Sequence, residues 1–209
     1  VIPWTALCAI GLAVCLLGER RGRIVERGVG KLVASLAFVG AGLSAGLPDV
    51  TPGGVWLLAA LVLSFVGDML LLSNDKRWFL TGLVAFLLAH VAFAAFFAAL
   101  GLAITGVAAG LVGMGALLAV VWPRLAPHTG RLKLPVAAYM AAISWMVASA
   151  AGAVAAGAAG PGLLVAAVVF AASDLFVARQ RFIHAEFLNR AIGLPLYYGA
   201  QLLFVASIP

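Results

Sequence analysis

The chain reads as apolar runs about as long as a bilayer is thick, and its basic residues fall only in alternate breaks between them. The runs lie near 2–17, 31–47, 54–73, 77–99, 102–122, 134–151, 161–179 and 190–208. A helix needs about 20 apolar residues to cross a bilayer, so 209 residues accommodate about eight crossings. The first break holds Arg20, Arg21, Arg23, Arg27 and Lys31, and the third holds Lys76 and Arg77. The fifth holds Arg124, Arg131 and Lys133, and the seventh Arg179, Arg181 and Arg190. These account for all thirteen Lys and Arg residues, and the second, fourth and sixth breaks hold none. The positive-inside rule then places the odd loops in the cytoplasm and both termini on the opposite side.

The expected fold class is therefore all-α: a polytopic membrane protein of eight transmembrane helices forming one domain over 1–209. Hydrophobic residues make up 65 % of the chain and mean hydropathy is +1.18, which leaves no room for a soluble module. The runs are continuously apolar, whereas a membrane barrel would show alternation, so helices are expected rather than strands. The net charge of +6 is a ring at one membrane face, facing lipid headgroups rather than nucleic acid. Cys8 and Cys15, seven apart, read as small packing residues. The chain opens on Val1 with a short first run, and a few residues are expected to precede it, with a cleaved signal less in keeping because the basic residues follow that run.

Polar residues inside such runs are costly and point to function. Asp68 lies in the third run and Asp174 in the seventh, each about 6–8 Å inside the basic ring at 1.5 Å per residue. Two carboxyls at one depth on helices entering from the same face are placed to meet across a cavity, as a general acid and a base or cation stabiliser. The competing reading pairs each with a nearby serine, Ser64 for Asp68 and Ser173 for Asp174. His90 lies deeper, near the bilayer middle. Tyr197, Tyr198 and Gln201 form a polar cluster on the last run, with Tyr197 and Gln201 one turn apart and Gly193 and Pro195 upstream to admit close approach. Tyr139 is a weaker candidate of the same kind. No metal is expected: His128 and His184 lie in loops, and ligands would come from different depths. No GxSxG, HExxH or phosphate loop is present, and no cofactor is called for. Glycines 106 and 110 form one GxxxG that reads as tight packing.

A weak internal similarity aligns 63–72 (LSFVGDMLLL) with 169–178 (VFAASDLFVA), and with it Asp68 with Asp174 and His90 with Tyr198. The separation of four helices fits a parallel four-plus-four duplication.

In combination, GDMLLL (67–72), FLTGLVAFLLAH (79–90), ASDLFVARQRF (172–182) and LPLYYGAQLL (194–203) resemble the YhhN family of integral membrane proteins, whose characterised members are lysoplasmalogenases. The resemblance implies eight helices and hydrolysis of the vinyl ether of a lysoplasmalogen to a fatty aldehyde and a glycerophospho-alcohol. It carries function to Asp68, His90, Ser173, Asp174, Tyr197, Tyr198 and Gln201. One position departs: Phe93 stands where the family pattern has Tyr. Such hydrolysis begins with protonation of the β-carbon, which needs a protonated acid and a group that stabilises the resulting cation. Asp68 and Asp174 would divide these roles, with Tyr197 or Gln201 placing the water. Which Asp holds the proton stays open at this level. The partners implied are a lysophospholipid substrate and membrane lipids, with no obligate protein partner. A hydrolase of another lysolipid, a small lipid transporter or flippase, and a lipid-binding scaffold without turnover are the rival readings.

Overall fold

A computed structural model describes residues 2–73 and 75–208. Among these residues the chain is all-helical and contains no strand. The helices are α1 (Ile2–Arg21), α2 (Ile24–Ser44), α3 (Gly54–Leu70), α4 (Lys76–Leu100), α5 (Ile104–Thr129), α6 (Lys133–Ala155), α7 (Pro161–Phe182) and α8 (Phe187–Ala206). A 3₁₀ turn at Gly130–Leu132 joins α5 to α6, so that Ile104–Ala155 is one helical stretch of 52 residues. Four segments are long and apolar enough to cross a membrane: Ile2–Arg21, Arg77–Leu100, Ile104–Ala155 and Pro161–Phe182. Gly54–Leu70 is apolar but shorter. Large apolar side chains such as Ile10, Leu36, Val112 and Val165 point outward, as they do in a protein whose solvent is lipid.

The charged breaks are shorter than hydropathy implies. Residues 18–30 were expected as a loop, but α1 runs through Arg21, α2 starts at Ile24, and Gly22 turns the chain at φ +68°. Hydropathy follows the apolar slab, whereas backbone hydrogen bonding continues past it into water. α7 likewise runs to Phe182 rather than 179. Local chemistry fixes several starts. The Asp75 side chain accepts from the Arg77 amide at 2.7 Å as the cap of α4, and Pro161 occupies the first turn of α7.

Consecutive helices pair as hairpins, α1 with α2, α3 with α4, α5 with α6 and α7 with α8. In addition α4 packs on α6, and α8 closes against α1 and α2. Small residues permit the closest approaches. A Cβ on Gly11 would sit 2.6 Å from the Ala34 amide nitrogen, and one on Gly30 would collide with the Cys15 backbone. The expected GxxxG behaves the same way: Gly106 lies on the Ala151 backbone and Gly110 on Ala148. Both cysteines are free and buried in the α1 contact face. An aromatic cluster forms the centre: Phe93 stacks on Phe204 at 4.2 Å, and Phe170 lies edge-on to Phe93 and Tyr197. Phe93 is fully buried here, a packing residue with no polar edge.

Candidate active site

Asp68 sits two residues before the end of α3 with a side chain 3 % exposed. Its Oδ2 accepts from Ser35 Oγ of α2 at 2.7 Å and from Tyr197 OH of α8 at 2.8 Å. Lys31 Nζ, one turn before Ser35 on α2, lies 3.1 Å from Oδ1. Every contact is from a donor, and one is a cation, which is the environment of an ionised carboxylate. Ser64, the neighbour expected from sequence, is not the partner; its buried hydroxyl has no hydrogen bond. The partners come instead from α2, which brings Ser35 and Lys31 directly across. Tyr198 OH lies 3.2 Å from Ser35 Oγ and 3.5 Å from the Lys31 carbonyl oxygen, and so stands behind the same group.

Asp174 has a different shell. Tyr139 OH of α6 donates to Oδ2 at 3.3 Å, and His90 Nε2 of α4 lies 3.3 Å from the same oxygen. The His90 ring is fully buried, wedged edge-on against Tyr139 and Phe170 with centroids 5.2 and 4.8 Å away. Its Nδ1 lies 2.6 Å from the Phe86 carbonyl oxygen. A carbonyl only accepts, so Nδ1 carries a hydrogen. Nε2 is then a lone pair when the ring is neutral and a second N–H when it is charged. Nε2 lies at ion-pair distance from Asp174 but makes no hydrogen bond to it. Depths counted from the hydropathy edges had separated His90 from Asp174. The packing of α4 and of α7 against α6 brings the two together.

Both carboxyls line one cavity of about 450 Å³, to which all eight helices contribute. Tyr139, Ser173 and Tyr197 also line it. The Ser173 hydroxyl is turned to its own helix, donating to the Phe170 carbonyl at 2.7 Å. Gly193 brings α8 onto this turn of α7: a Cβ there would meet Phe176 at 2.9 Å and the Ser173 carbonyl oxygen at 3.6 Å. His90, Tyr198 and Gln201 are fully or almost fully buried behind the cavity wall. The Gln201 amide is fully buried one turn from Tyr197.

Sequence reasoning missed Lys31, Ser35 and a charged cluster at the cavity rim. There Glu19 of α1 is held by Arg190 of α8 and by Arg27 Nε at 3.5 Å, while Arg27 Nη2 donates to the Leu72 carbonyl at 2.7 Å. Arg181 lies over the Phe79 ring at 4.0 Å. Lys31 had been counted with the basic ring. The available signal was its four-residue spacing from Ser35 just inside an apolar run. Among the described residues, no three His, Cys, Asp or Glu side chains converge as a metal site would require.

Fold and site together define an all-helical membrane protein in which one buried and one partly buried acid face an internal cavity with an arginine-bearing rim. Residues 28–208 match the YhhN family, and the chain belongs to that family. It is 37 % identical over 174 residues to a lysoplasmalogenase of Mycobacterium bovis, covering 73 % of this chain and 59 % of that protein. It is 31 % identical over 164 residues to the lysoplasmalogenase TMEM86A of Bos taurus, covering 75 % of this chain and 66 % of that one. The human lysoplasmalogenase TMEM86A is 34 % identical over 166 residues, with the same coverage. The matched region thus spans about 59–66 % of the length of these relatives. No solved structure matches the chain.

Proposed function

We propose that the chain is an intramembrane hydrolase that cleaves the vinyl ether of a lysoplasmalogen into a fatty aldehyde and a glycerophospho-alcohol. The observation that carries this is the unlike pair of carboxyls on one cavity, Asp68 ringed by donors and Asp174 bonded by Tyr139 with His90 Nε2 3.3 Å away. The relatives named lysoplasmalogenase support the substrate class.

Each part has a step. Asp174, supplied by His90, gives its proton to the β-carbon of the vinyl ether. The double bond becomes an oxocarbenium ion, and the carboxylate left on Asp174 faces that cation. Asp68, paired with Lys31, accepts three contacts of the roughly four a carboxylate can take. The fourth position holds a water, with the Tyr197 hydroxyl fixing the carboxylate's orientation. That water loses a proton toward Asp68 and attacks the α-carbon, and the hemiacetal collapses to aldehyde and alcohol. No metal or cofactor enters this route. Arg27, Arg181 and Arg190 at the rim suit the phosphate of the headgroup.

We place all eight helices across the membrane, with the odd loops cytoplasmic and both termini opposite. The four-plus-four repeat gains support from how the acids are contacted. Asp68 of α3 is reached from α2 and α8, and Asp174 of α7 from α6 and α4. Exchanging each helix for the one four along turns the first set into the second.

The test is incubation of purified protein with a lysoplasmalogen in heavy water. Aldehyde carrying one deuterium beside the carbonyl is expected. An ester lysolipid cleaved in its place, or aldehyde without that deuterium, would overturn the substrate or the protonation step.

A further inference from the structure

A second hollow, about 340 Å³, lies beside the cavity and is lined by Gly115, Leu118, Ala119, Trp122, Ala137 and Met140 of α5 and α6. Leu118 and Met140 also line the inner cavity, so these two side chains form a wall common to both spaces. The surface around it faces lipid: only 17 % of the apolar window of Ile104–Ala155 is buried, against 50 % for Arg77–Leu100. Gly115 is exposed and meets nothing within 4 Å.

The inner cavity is polarised toward this wall. Its charged lining on one flank, Glu19, Arg27, Lys31 and Arg190, comes from α1, α2 and α8. On the α5–α6 flank it is lined by Met114, Leu117, Val136 and Ile143. A single-chain amphiphile with its phosphate on the first flank has its hydrocarbon directed at Leu118 and Met140. Leu and Met are flexible, and Met adapts readily to an irregular apolar guest.

We propose that the α5–α6 hollow seats the hydrocarbon chain of the lysolipid, and that Leu118 and Met140 part to join it to the cavity, forming a lateral opening to the bilayer. This rests on the lysolipid reading of the cavity. The shared wall, the lipid-facing segment and the polarity of the lining fix both occupant and direction. Chain length then matters through burial, at about 0.8 kcal/mol, or about fourfold, per methylene.

The test uses the full chain in lipid nanodiscs and a hexadecyl-ether lysophosphocholine bearing a terminal diazirine, which has no vinyl ether and so labels without turnover. Crosslinks at Leu118, Trp122 or Met140, competed by unlabelled lysolipid, are expected. Gly115→Trp, whose ring has open space to enter, lowers this labelling at least about tenfold and leaves a hexyl-ether probe unchanged. Gly113→Trp, about 200° away around the helix, leaves both unchanged and reports on folding. Crosslinks confined to other helices, or labelling indifferent to Gly115→Trp, overturn the proposal. If vinyl ether is cleaved but the label lies elsewhere, the chain seat falls and the reaction stands. If the label maps to α5–α6 and no vinyl ether is cleaved, the seat stands and the reaction falls.

Discussion

At the scale of single residues, the two aspartates are chemically unlike because their neighbours are. Ser35, Tyr197 and Lys31 all present hydrogens to Asp68, and removing one leaves a largely buried carboxylate short of a donor. Ser35→Ala is therefore expected to lower activity by about tenfold, whereas Ser64→Ala, which removes an unpartnered buried hydroxyl, leaves activity and melting temperature near wild type. Aldehyde assays beside thermal melts in detergent check both. His90→Gln retains a polar side chain but cannot relay a proton, and its turnover is expected to fall about 100-fold or more. A drop in substrate affinity alone would reassign His90 to binding. Asp68, Asp174 and His90 were legible in sequence because an ionisable group in an apolar run stands out. Their partners were not. Ser35 is a common helix residue, and Lys31 at a run's edge is indistinguishable from a topology charge until α2 is seen packed on α3.

At the scale of elements, eight apolar runs and their turn residues announced eight helices, but not where each helix ends. The backbone keeps its hydrogen bonds beyond the slab, so α1 gains Arg20 and Arg21 and α2 gains about two turns before Lys31. Those added turns build the rim in which Glu19 meets Arg27 and Arg190. Helix pairing was legible only where small residues recur, as at Gly106 and Gly110. Gly30 belongs to the same class: its missing Cβ lets α2 lie on Cys15. Gly30→Leu is expected to destabilise by about 1–3 kcal/mol, read as a lowered melting temperature in detergent. Gly113→Ala, which meets open space, is expected to be neutral or stabilising by up to about 1 kcal/mol. Equal effects of the two would remove close packing as the reason for Gly30.

At the scale of the whole molecule, the placement of charge and the pairing of helices set the site's position. All basic residues lie at the ends joining α1–α2, α3–α4, α5–α6 and α7–α8, and the cavity opens among those ends. In a background lacking Cys8 and Cys15, a cysteine at Arg131 is expected to react with an impermeant thiol reagent only from the cytoplasmic side. One at Ala158 reacts only from the other side, and the reverse pattern would invert the membrane orientation. Sequence made the grouping of basic residues in alternate breaks plain, because charge is unambiguous. It did not reveal that each acid would be contacted from the opposite half of the chain, since long-range helix packing leaves little trace in apolar text.

The most direct measurement is the rate of aldehyde release from a lysoplasmalogen by Asp68→Asn and Asp174→Asn, each shown to melt as the unaltered protein does. Both are expected to lose about 100-fold or more, and only Asp174→Asn to lose the deuterium-transfer step in single turnover. Near-normal turnover in either variant would contradict a reaction divided between two carboxyls on one cavity.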